Sequence, residues 1–279
     1  MAVLNTNFDP AATFLANIPF SLLAAITFFG AWAVCWLPVA VICAIAIKWQ
    51  PSKPLQPEQK LPLLASLYLI APPILWAASR VTSVSFSDYG FTWNFEILRS
   101  LGLGFSLGVL GLAILFGIQT ALGWLTWQKV EVRQSISVLL PIWLLALWIS
   151  GTEELVFRGF LLTQLRQDYS VGVAAIISSV VFALLHLIWE RRETIPQLPG
   201  LWLMGMILVL ARFVDGGSLG LAWGLHTGWV WAIASLDTIG LITYTGKIPE
   251  WITGKYGKPL AGAAGIFCLV ATAAILWTI

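Results

Sequence analysis

Most charged residues of this 279-residue chain lie between its long apolar runs, so the ionisable side chains inside those runs are informative exceptions. Glu153, Glu154 and Arg158 share one run, and the chain's two histidines, His186 and His226, lie in two later runs. At the centre of a membrane span a charge costs about 2.5–3.5 kcal/mol, so such groups usually face a protein interior or a wet cavity. Carboxylates and imidazoles converging in a low-dielectric cavity favour acid–base chemistry on a bound water.

Within the first run, the spacing separates the roles of the two glutamates. Glu154 and Arg158 are four residues apart with the acid N-terminal, which favours an ion pair that holds the helix. Glu153 projects about 100° round the helix from Glu154, so it can face a cavity while its neighbour is neutralised. Glu153 is therefore the predicted general base, and a water between Glu153 and His186 is the predicted nucleophile.

The depth of each group follows from counting residues. Glu153 lies fourteen residues before Gln167, where the short turn Gln167–Ser170 begins, and His186 lies fifteen residues after Val171, which follows that turn. At about 1.5 Å per residue, both are about 21–23 Å from that turn. They are therefore predicted to meet at one level as the closest pair. His226, counted from Leu219, is about 10 Å from the same side and is predicted to approach from nearer mid-membrane.

Each of these residues also has a purely structural interpretation. The glutamates and the arginine could form a buried ion network, although one arginine cannot neutralise two carboxylates. A lone histidine in an apolar run is more often a hydrogen-bonded core residue. Near His226, Gly220, Gly224 and Gly228 form a small-xxx-small face whose ordinary purpose is close helix packing.

The composition is that of a membrane protein. Hydrophobic residues make up 59% of the chain and charged residues 10%, against about 45–50% and 25% in soluble domains. The predicted fold class is an all-α polytopic transmembrane bundle, with membrane lipid as its surroundings. Fifteen Lys and Arg against thirteen Asp and Glu give a dispersed net charge of +2, which excludes a nucleic-acid partner.

Apolar runs long enough to cross a bilayer core of about 30 Å number about eight. They cover Pro19–Ile47, Leu61–Ser79, Leu101–Trp124, Leu139–Leu165, Val171–Trp189, Leu198–Val214, Leu219–Ile242 and Pro259–Ile279. The first has no Lys or Arg before it and is too long for a cleavable signal peptide, so we interpret it as a retained span. Residues 1–18 are then an N-terminal tail, and residues 19–279 form one membrane domain.

The connectors after spans 1, 3, 5 and 7 carry most of the basic residues. These are Lys48, Lys53, Lys60, Lys129, Arg133, Arg191, Arg192, Lys247, Lys255 and Lys258. The positive-inside rule predicts that these connectors are cytoplasmic and that both termini lie on the far side. The protein is then an integral multi-pass membrane protein whose site opens toward the cytoplasmic side.

Three short motifs resemble the CPBP family of intramembrane proteases, which includes the type II CAAX prenyl endopeptidases and bacteriocin-processing or immunity proteins. The first is EExxxR followed by glycine, here Glu153 to Gly159. The second is FxxxH, here Phe182 to His186, and the third contains His226. A CPBP-like core of about residues 139–242 carries all three.

The resemblance implies an intramembrane endopeptidase acting on a peptide or membrane-protein substrate. Glu153 and His186 would activate water and His226 would stabilise the oxyanion, so the implied catalytic set is Glu153, His186, His226, Glu154 and Arg158. Two histidines and a glutamate can also ligate zinc. Because the helix-borne HExxH spacing is absent, a mechanism without metal or other cofactor is favoured.

One position departs from the family pattern. The third motif is HxxxN or HxxxD, but the residue four after His226 is Val230, which cannot donate a hydrogen bond to an oxyanion. Trp229 and Trp231 point about 100° away from its direction. The sequence therefore predicts a slow protease unless a donor from elsewhere fills the gap.

Two other functional classes remain open. A catalytically inactive membrane protein could bind, scaffold or protect a partner through the same polar site, and Val230 favours that alternative. A small transporter could use the carboxylates as a proton relay, but the chain shows no internal repeat. The cysteines, Cys35, Cys43 and Cys268, lie in apolar runs without CxxC spacing, so neither a disulfide nor a thiolate metal site is predicted.

Overall fold

The computed structural model describes residues 19–50, 55–130 and 132–279. The predicted N-terminal tail, residues 1–18, and Lys53 lie outside the described residues. Eight long helices follow the eight predicted spans in order. They are α1 (Phe20–Ala46), α2 (Pro57–Thr82), α3 (Phe95–Ala121), α4 (Val132–Glu154), α5 (Val171–Leu185), α6 (Leu198–Val214), α7 (Gly220–Ile239) and α8 (Ala263–Leu276).

Short elements extend or join these helices. Helix α4 continues through a π-helix (Leu155–Leu161) and one α-helical turn (Leu162–Leu165), and α5 continues into a 3₁₀ turn (His186–Ile188). Further turns cover Arg191–Thr194, Ile195–Gln197, Glu250–Thr253, Lys255–Gly257 and Pro259–Ala261. Two three-residue strands, β1 (Leu125–Trp127) and β2 (Ile242–Tyr244), pair antiparallel and are a small departure from the predicted all-α class.

The first six helical segments are long and apolar enough to cross a membrane. Helices α7 and α8 correspond to the seventh and eighth predicted spans but do not meet this criterion of length and hydropathy. Helix α7 has twenty residues and carries His226 and Asp237, and α8 has fourteen residues. In the most hydrophobic stretch of the first span 11% of the residues are buried inside the protein, against 50% in that of the sixth. Helix α6 is thus central in the bundle, whereas α1 presents most of its surface to lipid.

The connectors after α1, α3, α5 and α7 lie at one end of the bundle, which we call the basic end. The pairing of β1 with β2 joins the connectors after α3 and α7. Lys60 in the first turn of α2 forms an ion pair with Glu190 after α5. The Arg192 guanidinium lies 5.6 Å from the centre of the Tyr256 ring, which joins the connectors after α5 and α7.

At the opposite end, a carboxylate caps the start of α1. Asp168, in the connector after α4, accepts a hydrogen bond of 2.9 Å from the backbone N–H of Ser21. The hydrogen bonds from Ser21 lower the pKa of Asp168 from its ordinary value. A negative charge at a helix N-terminus stabilises the unpaired N–H groups there, so this contact fixes where α1 enters the bundle.

Helices α3 and α7 pack with their backbones almost in contact. A Cβ atom added to Gly224 would lie 2.1 Å from the carbonyl oxygen of Leu101, and one on Gly104 would lie 2.3 Å from that of Leu221. Only glycine allows backbones to approach so closely. The prediction that the glycine face of α7 serves close helix packing is confirmed. Since His226 lies between Gly224 and Gly228, this packing also sets its position.

We predict that Gly224→Ala destabilises the protein whereas Gly117→Ala does not. The added methyl group at residue 224 must push α3 and α7 apart, and overpacking of this kind costs about 1–3 kcal/mol. A Cβ on Gly117, in α3, meets no atom within 4 Å, so alanine is tolerated there. Thermal unfolding in detergent measures both variants, and equal midpoints would show that the α3–α7 contact is not tight.

Candidate active site

The two adjacent glutamates lie where α4 changes into its π-helical segment. All seven residues of that segment, Leu155–Leu161, are buried. Single π-helical turns inside α-helices occur frequently at functional sites. Gly159 is within the segment, and a Cβ there would lie 3.2 Å from the Cβ of Tyr89. The glycine of the first motif therefore lets the connector after α2 pack directly on the π-helix.

Glu154 is the centre of a fully buried ion cluster. Its Oε1 accepts a hydrogen bond of 3.0 Å from Nη1 of Arg158, and both side chains have no exposed surface. The i,i+4 ion pair predicted from the sequence is thus present. The same oxygen lies 2.8 Å from Nδ1 of His226, so Glu154 joins α4 to α7 as well as to its own helix.

Glu153 faces the other nitrogen of the same histidine. Its Oε2 lies 3.4 Å from Nε2 of His226, and its Oε1 accepts a hydrogen bond from the hydroxyl of Tyr68 in α2. Glu153 is 6% exposed, whereas Glu154 is 0% exposed. His226 is therefore placed between two carboxylates, of which Glu153 lines a cavity and Glu154 is fully buried.

The prediction that Glu153 and His186 form the closest pair is wrong. Among the described residues, Glu153 forms its imidazole contact with His226 rather than with His186. The depth count assumed uninterrupted α-helices of about 1.5 Å per residue, whereas the segment after Glu154 is π-helical. In addition, the glycine contact with α3 fixes α7 so that His226 reaches the end of α4.

His186 begins the 3₁₀ turn at the end of α5, and its ring is held by its own helix. Nδ1 lies 2.8 Å from the carbonyl oxygen of Phe182, one helical turn earlier. A carbonyl only accepts, so Nδ1 carries the proton and Nε2 presents a lone pair when the ring is neutral. His186 is half-buried and lines the same cavity as Glu153.

The ring of Phe182 is the aromatic centre of the site. It is fully buried, and the guanidinium of Arg158 lies 4.3 Å from its centroid. The rings of His186 and His226 lie 4.6 Å and 5.9 Å away, both edge-on. The FxxxH spacing thus puts one ring against the ion cluster and both histidines.

A second buried arginine, Arg212 near the end of α6, ties the connectors to the π-helix. It donates hydrogen bonds to the carbonyl oxygens of Arg158, Asp88 and Gly217, those to the last two being 3.1 Å long. These carbonyls belong to the π-helix, the connector after α2 and the connector after α6. Sequence reasoning missed Arg212 because a basic residue so close to a span end is usually a connector residue.

Two cavities meet at the histidines. The aromatic cavity, of about 420 Å³, lies between α1, α2, α4 and α5, and Tyr68 and Glu153 are in its wall. The C-terminal cavity, of about 320 Å³, lies between α3, α6, α7 and α8. His186, His226 and Val230 line both. Each cavity also reaches the basic end, through Trp189 and Lys258 respectively.

The structure brings the predicted site residues together in two layers. Glu153, His186 and His226 line the aromatic cavity, and Glu154 with Arg158 lies buried behind them. Tyr68 was not predicted, and its only signal was a hydroxyl-bearing ring within the second apolar run. In the described part of the chain, no group of three His, Cys, Asp or Glu side chains is arranged to hold a metal ion.

Fold and site together define an integral membrane protein of packed helices with a carboxylate–imidazole site inside the bundle. Residues 133–232 match the family model of the type II CAAX prenyl endopeptidase Rce1-like proteins. That segment runs from the start of α4 into α7 and includes all five predicted catalytic residues. Comparisons with curated proteins and with solved structures give no match.

The matched segment carries all three motifs and supports CPBP family membership. This match supports a function of the CAAX intramembrane protease kind. It also implies a lipid environment and peptide or protein substrates.

We predict that Glu154→Ala destabilises the fold more than Glu153→Ala does. Removing Glu154 leaves Arg158 buried without its carboxylate, and such a loss often costs about 3–5 kcal/mol. Glu153 borders a cavity that water can enter, so its loss leaves less uncompensated charge. Unfolding midpoints of both variants in the same detergent test this, and equal shifts would contradict the division of roles.

Proposed function

We propose that this protein hydrolyses peptide bonds within the membrane, with a water activated by Glu153 and His186. One observation carries the proposal: Glu153, His186 and His226 line a single cavity inside the bundle. A carboxylate and an imidazole lone pair facing one cavity are the groups that can hold a water and remove its proton.

Glu153 is the proposed general base. It takes a proton from the water as the water oxygen bonds to the scissile carbonyl carbon, and the carbonyl π electrons move to the carbonyl oxygen. The proton then passes from Glu153 to the leaving nitrogen as the C–N bond breaks and the C=O bond reforms. His186 accepts a hydrogen bond from the water at Nε2, because its Nδ1 is engaged with Phe182.

His226 is the proposed electrophilic group. Glu154 holds its Nδ1, so the ring can donate from Nε2 only when it carries both protons. With Glu153 and Glu154 ionised, a protonated His226 and Arg158 bring the net charge of these four side chains to zero. An N–H directed at the developing oxyanion from inside the helical bundle then stabilises it strongly.

A metal-free reaction is part of the proposal. It is supported by the donor set, since Nδ1 of His186 bonds a backbone carbonyl and both nitrogens of His226 face carboxylates. Zinc needs several lone pairs directed at one point, and these contacts leave few of them free.

We predict that chelators leave the cleavage rate unchanged. Purified protein in liposomes is incubated with 1,10-phenanthroline and then assayed, with a zinc protease on its own substrate as the positive control. A loss of activity that zinc restores would show that the metal-free mechanism is wrong.

The orientation is also proposed, from charge. In the described part of the chain, the basic end carries Lys and Arg residues of the kind that the positive-inside rule assigns to the cytoplasm, and both cavities reach that end. Substrate would therefore enter from the cytoplasmic side.

The second candidate is a scaffold or protective protein that uses the same site without catalysis. Val230 favours it, because this residue lines both cavities at the place where the family has an amide or carboxyl group. If the protein is a protease, a variant at residue 230 changes the cleavage rate. If it is a scaffold, there is no cleavage for such a variant to change.

We predict that Glu153→Gln abolishes cleavage and that Val230→Asn increases it. Glutamine cannot accept the proton, and one added oxyanion donor can contribute up to about 10²–10³ in turnover. A CAAX-type peptide with a fluorophore and a quencher, with and without a farnesyl group, reports the rate in liposomes. If the unmodified chain and both variants are inert on it, the scaffold function is favoured.

A further inference from the structure

The site contains one position where a hydrogen-bond donor is missing. Val230 lies one helical turn after His226 and lines both cavities, but its side chain is a hydrocarbon. The two neighbouring indoles do not replace it. Trp231 donates its Nε1–H to the carbonyl oxygen of Leu139 at 3.0 Å, and Trp229 lines only the C-terminal cavity among the two described.

Tyr68 places a hydroxyl group in the wall of the aromatic cavity opposite these residues. It projects from α2, a helix that carries none of the family motifs, and its side chain is buried. Trp32 and Trp148 pack edge-on against its ring, each with centroids 6.5 Å away. Its hydroxyl hydrogen bonds Oε1 of Glu153. A buried donor is thus held rigidly within reach of the proposed general base.

We propose that Tyr68 is a catalytic residue whose hydroxyl stabilises the oxyanion in place of the donor that Val230 lacks. This inference rests on the proposed hydrolytic function. Before reaction the hydroxyl donates to the ionised Glu153 carboxylate, a charge-assisted hydrogen bond. When Glu153 takes the proton of the water, its negative charge is lost and the new charge appears on the substrate oxygen. The strongest acceptor near Tyr68 is then that oxygen.

Tyr68 keeps its own proton throughout this cycle. Its hydroxyl donates to the tetrahedral oxyanion while Glu153 is protonated. The C–N bond then breaks, the carbonyl reforms, and the proton on Glu153 moves to the leaving nitrogen. Glu153 is ionised again, and the hydroxyl returns to it. The hydrogen bond of Tyr68 thus follows the negative charge between two oxygen atoms in one cavity.

A purely positioning role for Tyr68 makes a different prediction. If the hydroxyl only orients Glu153, its loss changes the base, and a donor added at residue 230 cannot compensate. If it stabilises the oxyanion, a donor at residue 230 replaces it. The two roles are therefore separated by combining Tyr68→Phe with Val230→Asn.

The experiment measures kcat and KM on the farnesylated quenched peptide in liposomes. We expect Tyr68→Phe to lower kcat by about 10²–10³ with KM little changed. Val230→Asn should raise kcat at least tenfold more in the Tyr68→Phe background than in the unmodified chain. The control is Tyr244→Phe, which removes a buried hydroxyl in β2, and it should cleave at the unmodified rate with an unchanged unfolding midpoint.

Different results identify which proposal fails. If the unmodified chain cleaves no faster than Glu153→Gln, the hydrolytic function itself is overturned. If cleavage depends on Glu153 but Tyr68→Phe keeps the full rate, only the role of Tyr68 is overturned. The role is equally overturned if Tyr68→Phe is slow and Val230→Asn does not restore it, or if Tyr68→Phe instead displaces the acidic limb of the pH–rate profile.

Discussion

The rest of this site depends on one carboxylate oxygen, Oε1 of Glu154. It accepts hydrogen bonds from Arg158 on its own helix and from His226 on α7. All three side chains are almost completely removed from solvent, so each charge relies on the others to offset its desolvation. Because one end of the His226 ring is fixed in this way, its other nitrogen has a defined direction, which is toward Glu153. The cluster that costs most to bury therefore sets the geometry of the groups that face the cavity.

The same constraint explains why the helices around the site pack as they do. The glycines facing each other across α3 and α7 let these helices pack with their backbones almost in contact, which sets the position of α7 and of His226. At the other side of the cluster, Gly205 of α6 leaves room for Arg158. A Cβ there would lie 3.1 Å from Nη2 of the guanidinium and 2.8 Å from the Cβ of Ser179. Small residues thus surround the ion cluster, and without them the charged groups could not meet.

The sequence predicted the eight helices in order and the ion pair of Glu154 with Arg158, because hydropathy and i,i+4 spacing are local properties. It also predicted that Glu153, His186 and His226 share a cavity, since charged groups in apolar runs must be buried together. It was wrong about the closest pair, because a π-helical segment and the depth of α7 are not visible in residue counts. Tyr68 and Arg212 could not be predicted for a related reason. Their roles come from contacts with distant segments, and a single tyrosine or a terminal arginine in an apolar run is common in helices with no site at all.

The two neighbouring glutamates occupy different surroundings although they are adjacent on one helix. Glu154 points into the bundle, where its charge is matched and no water is needed. Glu153, about 100° round the helix, points to the aromatic cavity, where its partners are a hydroxyl group and one imidazole nitrogen. What separates the two carboxylates is access, since Glu153 lines the aromatic cavity whereas the Glu154 side chain has no exposed surface. In this fold Glu154 and its buried partners supply the rigidity, and Glu153, the next residue along the helix, presents its carboxylate to the cavity.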